Sequence, residues 1–167
     1  ETVKAYPSML TASLKHELAA AGRIYLLARY LDQQGKGWLP VEDMRQVLTK
    51  KGSALRVCGW RRLRQIFHQG EGIFWQRDGN GRLWLAGAAK IGQNLACERF
   101  QGKPIALPVQ ALLGGIQAVR AHFYASFHSS RKEAAPISRE TLRGITGVPE
   151  RTQLEYDQVA QIRRESN

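Results

Sequence analysis

The chain has 167 residues, 43% of them hydrophobic, with a formal net charge of +11 and an isoelectric point near 10.2. This length suits one large domain or two small ones, and an ordinary apolar fraction with four tryptophans excludes a disordered chain. The apolar runs are too short to cross a bilayer, so we expect no membrane partner. The two cysteines, interpreted as buried thiols, fit a reducing, cytoplasmic setting.

The basic residues are mostly arginine and are concentrated in the first half. Arginine supplies 17 of the 25 basic residues, and residues 1–87 carry 14 basic and 7 acidic side chains, a net charge of +7. Seven basic residues and no acidic one lie between Asp43 and Glu71. Because guanidinium groups make paired hydrogen bonds to phosphate and guanine, this distribution favours a polyanionic partner, of which nucleic acid is the commonest.

The spacing of apolar residues predicts three helices in the first half. The first runs from Ser13, as its N-cap, to Leu31 and ends at the glycine-bearing segment 33–37. A short helix, Val41–Leu48, follows. After a turn at residues 50–53, a third helix is expected between Ala54 and Gln69, with apolar side chains on one side and basic or polar ones on the other.

A β-hairpin is predicted directly after these helices. Residues Ile73–Arg77 and Arg82–Leu85 are typical of short strands, and Asp78-Gly79-Asn80-Gly81 separates them. Glycine and asparagine tolerate the positive φ angles that tight hairpin turns require. The pattern therefore indicates two strands joined by a tight turn.

The second half is predicted to contain a linker and three helices, the first two separated by a polar loop over residues 129–136. Residues 99–108, with two prolines, are typical of a linker, and Val109–Ser129 has the spacing of one long amphipathic helix. A helix over Arg139–Thr146 is expected to be capped by Ser138, and Val148-Pro149 would open the last helix after a turn at Gly147.

Residues 137–153 resemble the helix-turn-helix of bacterial and phage DNA-binding proteins, where a capped helix is followed by Thr-Gly-Val and a second helix. In this chain Thr146-Gly147-Val148 supplies the turn, and glycine accepts a backbone conformation that most residues resist. Gln153 departs from the pattern, since an apolar core residue is common at its position.

The first half, with its basic helix and hairpin, resembles a winged helix. Together the halves are similar to tandem winged-helix proteins, including plasmid and phage replication initiators.

This resemblance implies a mainly α fold with small β-hairpin wings, built from two winged-helix or helix-turn-helix units. We call residues 1–98 the first unit and residues 109–167 the second unit, with 99–108 as the linker. The second unit lacks an obvious wing, because only the tail 161–167 follows its last helix. The resemblance also points to the bacterial cytosol or nucleoid.

In a winged helix, the second helix of the motif enters the major groove while the wing contacts phosphate or the adjacent minor groove. By this analogy, base contacts are expected from Arg61, Gln65 and His68. Phosphate contacts are expected from Lys50, Lys51, Arg56, Arg62 and Arg64, and wing contacts from Arg77 and Arg82. In the second unit, the candidate contacts are Arg139, Arg143, Arg151, Thr152 and Gln153. The alternatives are a solvated basic face and, for the second unit, a structural or protein-contacting role.

No cofactor, metal site or catalytic site is expected from the motifs. Cys58 and Cys97 lie 39 positions apart with no histidine at ligand spacing, which favours two buried thiols over a disulfide or a metal site. The segment 78–82 begins like a calcium loop but places Arg82 where an oxygen ligand is needed. The phosphate-binding GxxxxGK[ST] and the nucleophile elbow GxSxG do not occur, and the carboxylates are too dispersed for a two-metal nuclease.

The leading functional hypothesis is sequence-specific binding of double-stranded DNA, as by a replication initiator or a transcriptional regulator. One alternative is an adaptor or structural module that contacts other subunits of a replication, transposition or defence complex. Another is an RNA-binding module that recognises A-form shape or a folded loop. We do not expect an enzyme.

Overall fold

The computed structural model describes residues 1–96, 100, 102–129 and 137–159. Within them the elements are β1 (Thr2–Ala5), α1 (Pro7–Lys15), α2 (Ala19–Leu31), β2 (Trp38–Pro40), α3 (Val41–Thr49), α4 (Trp60–Gly70), β3 (Trp75–Arg77), β4 (Arg82–Leu85), α5 (Ala88–Ala96), β5 (Ile105–Pro108), a 3-10 helix (Val109–Leu112), α6 (Ile116–Ser129), α7 (Arg139–Thr146) and α8 (Glu150–Val159). These residues are mainly helical with two small antiparallel sheets, which confirms the expected mainly α class.

The helix predicted from Ser13 to Leu31 is divided in two. α1 ends at Lys15 and α2 begins at Ala19, and between them Glu17 has φ 59°, a region that non-glycine residues seldom enter. The expected N-cap is wrong, because Ser13 is buried within α1 and its hydroxyl donates to the Met9 carbonyl oxygen at 2.8 Å. Both helices contribute to the same core, so the apolar pattern continues across the break.

Within the first unit the elements α2, β2, α3, α4, β3 and β4 follow one another, and β4 is the central strand of a three-stranded antiparallel sheet. The predicted hairpin is confirmed, with Gly81 at φ 75° in its turn. The short helix predicted over 41–48 is also confirmed, as α3. The third predicted helix is present as α4, which begins six residues inside the expected region.

Trp75 attaches the hairpin to the C-terminal end of α4. Its indole Nε1 donates to the Phe67 carbonyl oxygen at 2.8 Å, and its ring packs edge-on against the Phe67 ring. A Cβ at Gly70 would lie 2.4 Å from the Trp75 ring, so only glycine allows the indole to cover this turn of the helix. The hairpin is therefore held beside α4 by a buried contact.

The predicted linker contains a strand. Residues Ile105–Pro108 form β5, which pairs antiparallel with β1 in a register that opposes Thr2 and Pro108. The helix predicted over 109–129 is interrupted after the 3-10 helix and resumes as α6, because Gly114 and Gly115 disfavour a continuous helix. Residues 97–99, with Cys97, and the tail 161–167 lie outside the described residues.

One hydrophobic core connects the two predicted units. α1 packs against α6 and α7, and α2 packs against α6, where a Cβ at Gly22 would lie 3.3 Å from the Phe123 ring. Arg23 in α2 is 6% exposed, and its Nη1 donates to the carbonyl oxygens of Leu112 and Gly114 at 3.3 and 2.7 Å. Burial lowers the pKa of Arg23. The first and second units thus pack against each other, and the buried Arg23 guanidinium forms hydrogen bonds between them.

Candidate nucleic-acid interface

Helix α4 has a buried apolar side and an exposed basic side. Leu63, Ile66 and Phe67 are buried in the core, as their spacing of three and four residues predicts, whereas Trp60 is only half-buried. The other side, which we call the α4 face, exposes Arg61, Arg62, Arg64, Gln65 and His68. An open groove along this face is lined by Arg61, Arg64, Gln65, His68 and Gln69. The structure therefore brings together the base-contacting and phosphate-contacting residues expected on this helix.

The arginines of α4 have different surroundings. The Arg64 guanidinium lies 5.6 Å from the centroid of the Trp60 ring, and the Arg45 guanidinium from α3 lies 4.7 Å from the same ring. Cation–π contacts of this kind restrain an arginine without neutralising it. Arg62 donates to the Gln65 side-chain oxygen at 3.4 Å. The α4 face consequently presents positively charged guanidinium groups to solvent.

The loop between α3 and α4 adds charge beside this face. Lys50, Lys51 and Arg56 are all exposed there, as expected for phosphate-contacting residues. The Arg56 Nε donates to the Thr49 carbonyl oxygen at 3.1 Å, at the last residue of α3. A cation at a helix C-terminus is favoured by the helix dipole, so this contact helps to fix the guanidinium.

The two hairpin arginines already have carboxylate partners. Arg77 Nε lies 3.1 Å from a Glu71 oxygen, and Arg82 Nε lies 2.9 Å from an Asp78 oxygen. Both partners are close in sequence, six residues away for Arg77 and four for Arg82. They remain partly accessible, yet their charge is balanced locally, which weakens them as phosphate contacts.

Asp78 is the centre of a hydrogen-bonded network at the tip of the hairpin. The Trp84 indole Nε1 donates to Asp78 Oδ2 at 2.8 Å, and the backbone amides of Asn80 and Arg82 donate to Oδ1 at 2.8 and 3.1 Å. The indole hydrogen bond, followed by these amides and the Arg82 side chain, holds the Asp78 pKa well below its usual range. These hydrogen bonds therefore hold the Asp78 carboxylate in one position within the hairpin turn.

The predicted helix-turn of the second unit has the expected cap and turn. Ser138 Oγ accepts a hydrogen bond from the Thr141 amide at 3.1 Å, and Gly147 has φ 71° directly after α7. A Cβ at Gly147 would lie 3.1 Å from the Lys15 Cα, so this turn rests against the end of α1. Arg143 and Arg151 are exposed, and Thr152 is half-buried.

Gln153 is not a surface residue, so its prediction as a nucleic-acid contact is wrong. Its side chain is fully buried, and Nε2 donates to the carbonyl oxygens of Arg139 and Val148 at 2.8 and 3.1 Å. Arg139 is directed inward as well, with Nη2 3.0 Å from an Asp157 oxygen. A buried amide that satisfies two carbonyl groups takes the core position where the resemblance leads one to expect an apolar side chain.

A cleft of about 490 Å³ lies between the two units. Arg62 of α4 lines one part of it, and Gln117, Arg120 and Thr152 line another. The Arg120 Nε donates to the Tyr156 hydroxyl at 3.0 Å, and its Nη1 lies 3.6 Å from a Glu17 oxygen. The cleft joins the α4 face to the first turn of α8, and no motif in the sequence indicated that Arg120 would be part of it.

Other kinds of site find little support among the described residues. They contain no group of three or more His, Cys, Asp or Glu side chains able to hold a metal ion. None of their helices combines the length and apolar character needed to span a bilayer. Cys58 is a free, half-buried thiol whose pKa is raised by burial, although Arg23, Arg62 and Arg56 act in the opposite direction.

Comparison of the chain with protein-family models, with curated proteins and with solved structures found no significant match.

Proposed function

We propose that this protein binds double-stranded DNA sequence-specifically, without catalysing a reaction, and that α4 enters the major groove. The observation that carries the proposal is the α4 face, where basic and amide side chains lie together on one side of a helix whose other side is buried. Arginine suits guanine and glutamine suits adenine in the major groove, which makes Arg61 and Gln65 the principal base contacts.

The element order of the first unit supports a winged-helix arrangement. Helix α4 is followed by a hairpin whose second strand, β4, pairs with both β2 and β3. This order agrees with the winged-helix resemblance, in which the helix before the hairpin is the recognition helix. Helices α7 and α8, with Ser138 and Gly147, are proposed as the second unit's helix-turn-helix. A pair of such units would suit a replication initiator or a transcriptional regulator.

Phosphate neutralisation makes the proposed affinity depend on salt. Five exposed cations beside the base-contacting residues are proposed to reach phosphates: Lys50, Lys51, Arg56, Arg62 and Arg64. If each contacts one phosphate, the logarithm of the binding constant falls against the logarithm of the salt concentration with a slope of about −4.5. Arg77 and Arg82 contribute less, because each already pairs with a carboxylate.

Selection from random duplexes, followed by titration of variants at several salt concentrations, tests this function. Arg61→Ala relaxes the base preference at one position, whereas Lys51→Ala weakens all sequences alike and reduces the salt slope by about 1. Arg77→Ala is the matched control, an exposed arginine held by Glu71, and it causes a smaller loss than Arg64→Ala. A protein with no preference among duplexes would contradict sequence-specific binding.

A second candidate function is that of an adaptor module, in which the second unit binds a protein. It is favoured by two exposed apolar side chains on α8, Leu154 at 55% and Val159 at 53% exposure. Duplex DNA that perturbs the α4 amide signals but leaves those of α8 unchanged would favour this role. Competition between duplex RNA and DNA of matched sequence separates both candidates from RNA binding.

A further inference from the structure

Two tryptophans lie side by side on the outer face of the three-stranded sheet. Trp38 in β2 and Trp84 in β4 are cross-strand partners, with ring centroids 6.0 Å apart and planes inclined by 38°. The next residue pair, Leu39 and Leu83, faces the core side, where Leu83 is fully buried. Trp84 is 42% exposed, and we call Trp38 and Trp84 the tryptophan pair.

Two cations lie over the rings of the tryptophan pair. The Lys36 ammonium lies 5.7 Å from the centroid of the Trp38 ring, and the Arg82 guanidinium lies 5.4 Å from the ring of each tryptophan. Beside Trp84, a depression of about 100 Å³ is lined in part by Lys90. Two carboxylates lie near these cations: Asp78, which accepts from the Trp84 indole and pairs with Arg82, and Asp32, which accepts from the backbone amides of Lys36 and Gly37. Three cations against two carboxylates leave a net positive charge here.

A role in stabilising the hairpin explains only part of this arrangement. Aromatic cross-strand pairs do stabilise antiparallel strands, but that contribution needs neither an exposed indole nor cations over the rings. Exposed aromatic rings bordered by cations have the chemistry that binds single-stranded nucleic acid, since bases stack on the rings and phosphates approach the cations. A paired base within a duplex cannot stack in this way, because its neighbours cover both faces.

We propose that the tryptophan pair is a stacking site for an unpaired base of DNA, with Lys36 and Lys90 holding the adjoining backbone. The site lies on the sheet, apart from the α4 face, and extends the protein's binding beyond duplex DNA. A protein with both surfaces could hold a duplex through α4 and a locally opened strand through the sheet.

The test compares binding of the full chain to two single-stranded probes of equal length and charge. One is oligodeoxythymidine and the other an oligonucleotide of abasic residues, which keeps the phosphates but lacks bases. The wild-type protein is expected to bind the thymidine probe about tenfold more tightly. Trp84→Ala abolishes that preference, and Trp84→Phe retains part of it because a ring remains. Leu154→Ala, which truncates another exposed apolar side chain, leaves the preference unchanged.

Two results would overturn the proposal. One is equal binding of both probes by the wild-type protein, a measurement that does not depend on how any variant folds. The other is a Trp84→Ala protein that unfolds more easily yet keeps the full preference for bases, which would limit the tryptophan pair to a structural role. Arg61→Ala separates this site from the proposed duplex function, since it changes sequence preference among duplexes but not the preference for thymidine over abasic probe.

Discussion

At the scale of single residues, the helical spacing of α4 was sufficient to predict most of its exposed face. Arg61, Gln65 and His68 are exposed because Leu63 and Ile66 turn the opposite side of the helix into the core. The prediction that Gln153 is exposed was wrong. A helical wheel shows which side of the helix a residue is on, but it does not show the two carbonyl groups whose hydrogen bonds allow the amide to be buried. The pairing of Arg82 with Asp78 was also missed, although both residues flank the predicted turn.

The Asp78 network predicts a specific dependence of stability on pH. The folded-state pKa lies below the ordinary value near 3.8, so the charged carboxylate stabilises the fold above that pH and the contribution is lost as the pH falls below it. Asp78→Asn, which keeps an acceptor oxygen but removes the charge, is therefore expected to lower the free energy of unfolding at pH 7. The difference from wild type shrinks as the pH falls below about 4.

Urea denaturation of both proteins at pH 7 and pH 3 measures this effect. Glu42→Gln serves as a control, because Glu42 is exposed and makes only surface contacts, an ion pair with Arg45 at 3.8 Å and a hydrogen bond from Gln46 at 2.9 Å. A difference between wild type and Asp78→Asn that stays constant across this pH range would show that the charge of Asp78 does not stabilise the hairpin.

At the scale of elements, local signals predicted those elements whose ends are set locally. The cap at Ser138, the turn at Gly147 and the hairpin turn before Arg82 all appear at the predicted positions. The helix over 13–31 was predicted as continuous because its break, at Glu17, contains no residue that commonly ends helices. Strands β1 and β5 were not predicted, because each has only four residues and its partner strand is distant in the chain.

Two glycines near the end of α7 provide a matched pair for testing the turn. Gly147→Ala is expected to lower the free energy of unfolding by about 1–2 kcal/mol or more, because a side chain is strained at φ 71° and its Cβ would crowd Lys15. Gly144→Ala is expected to raise it by about 1 kcal/mol, since Gly144 lies within the helix with open space around it. Thermal denaturation compares the two, and equal effects would contradict the contact between the turn and α1.

At the scale of the whole molecule, the predicted units share one hydrophobic core. The strand pair β1–β5, the packing of α1 on α6 and the buried Arg23 all cross the predicted linker. Sequence patterns predicted the apolar faces of these helices but not which faces meet, because that depends on contacts between residues far apart in the chain. We therefore expect the chain to unfold as one cooperative unit.

The tryptophans allow this cooperativity to be measured. All four lie in the first unit, at Trp38, Trp60, Trp75 and Trp84, so their fluorescence reports on that unit alone. Phe123→Ala removes a fully buried ring from α6 in the second unit and is expected to cost about 3–5 kcal/mol. The denaturation midpoint followed by tryptophan fluorescence should fall together with that followed by circular dichroism.

Leu154→Ala, at an exposed position of α8, is the control and should change stability by less than about 0.5 kcal/mol. A Phe123→Ala protein whose tryptophan signal keeps the wild-type midpoint would indicate two independently folding units.

The pairing of β1 with β5 also sets an order for folding during synthesis. Thr2 is opposite Pro108, so β1 has no partner strand until more than a hundred residues have been joined, on the order of ten seconds after it is made. Over that interval the apolar side of α1, which later packs on α6 and α7, is exposed to the cell. We expect nascent chains stalled before β5 to bind chaperones and to be cleaved readily near α1, and chains released after α7 to resist both.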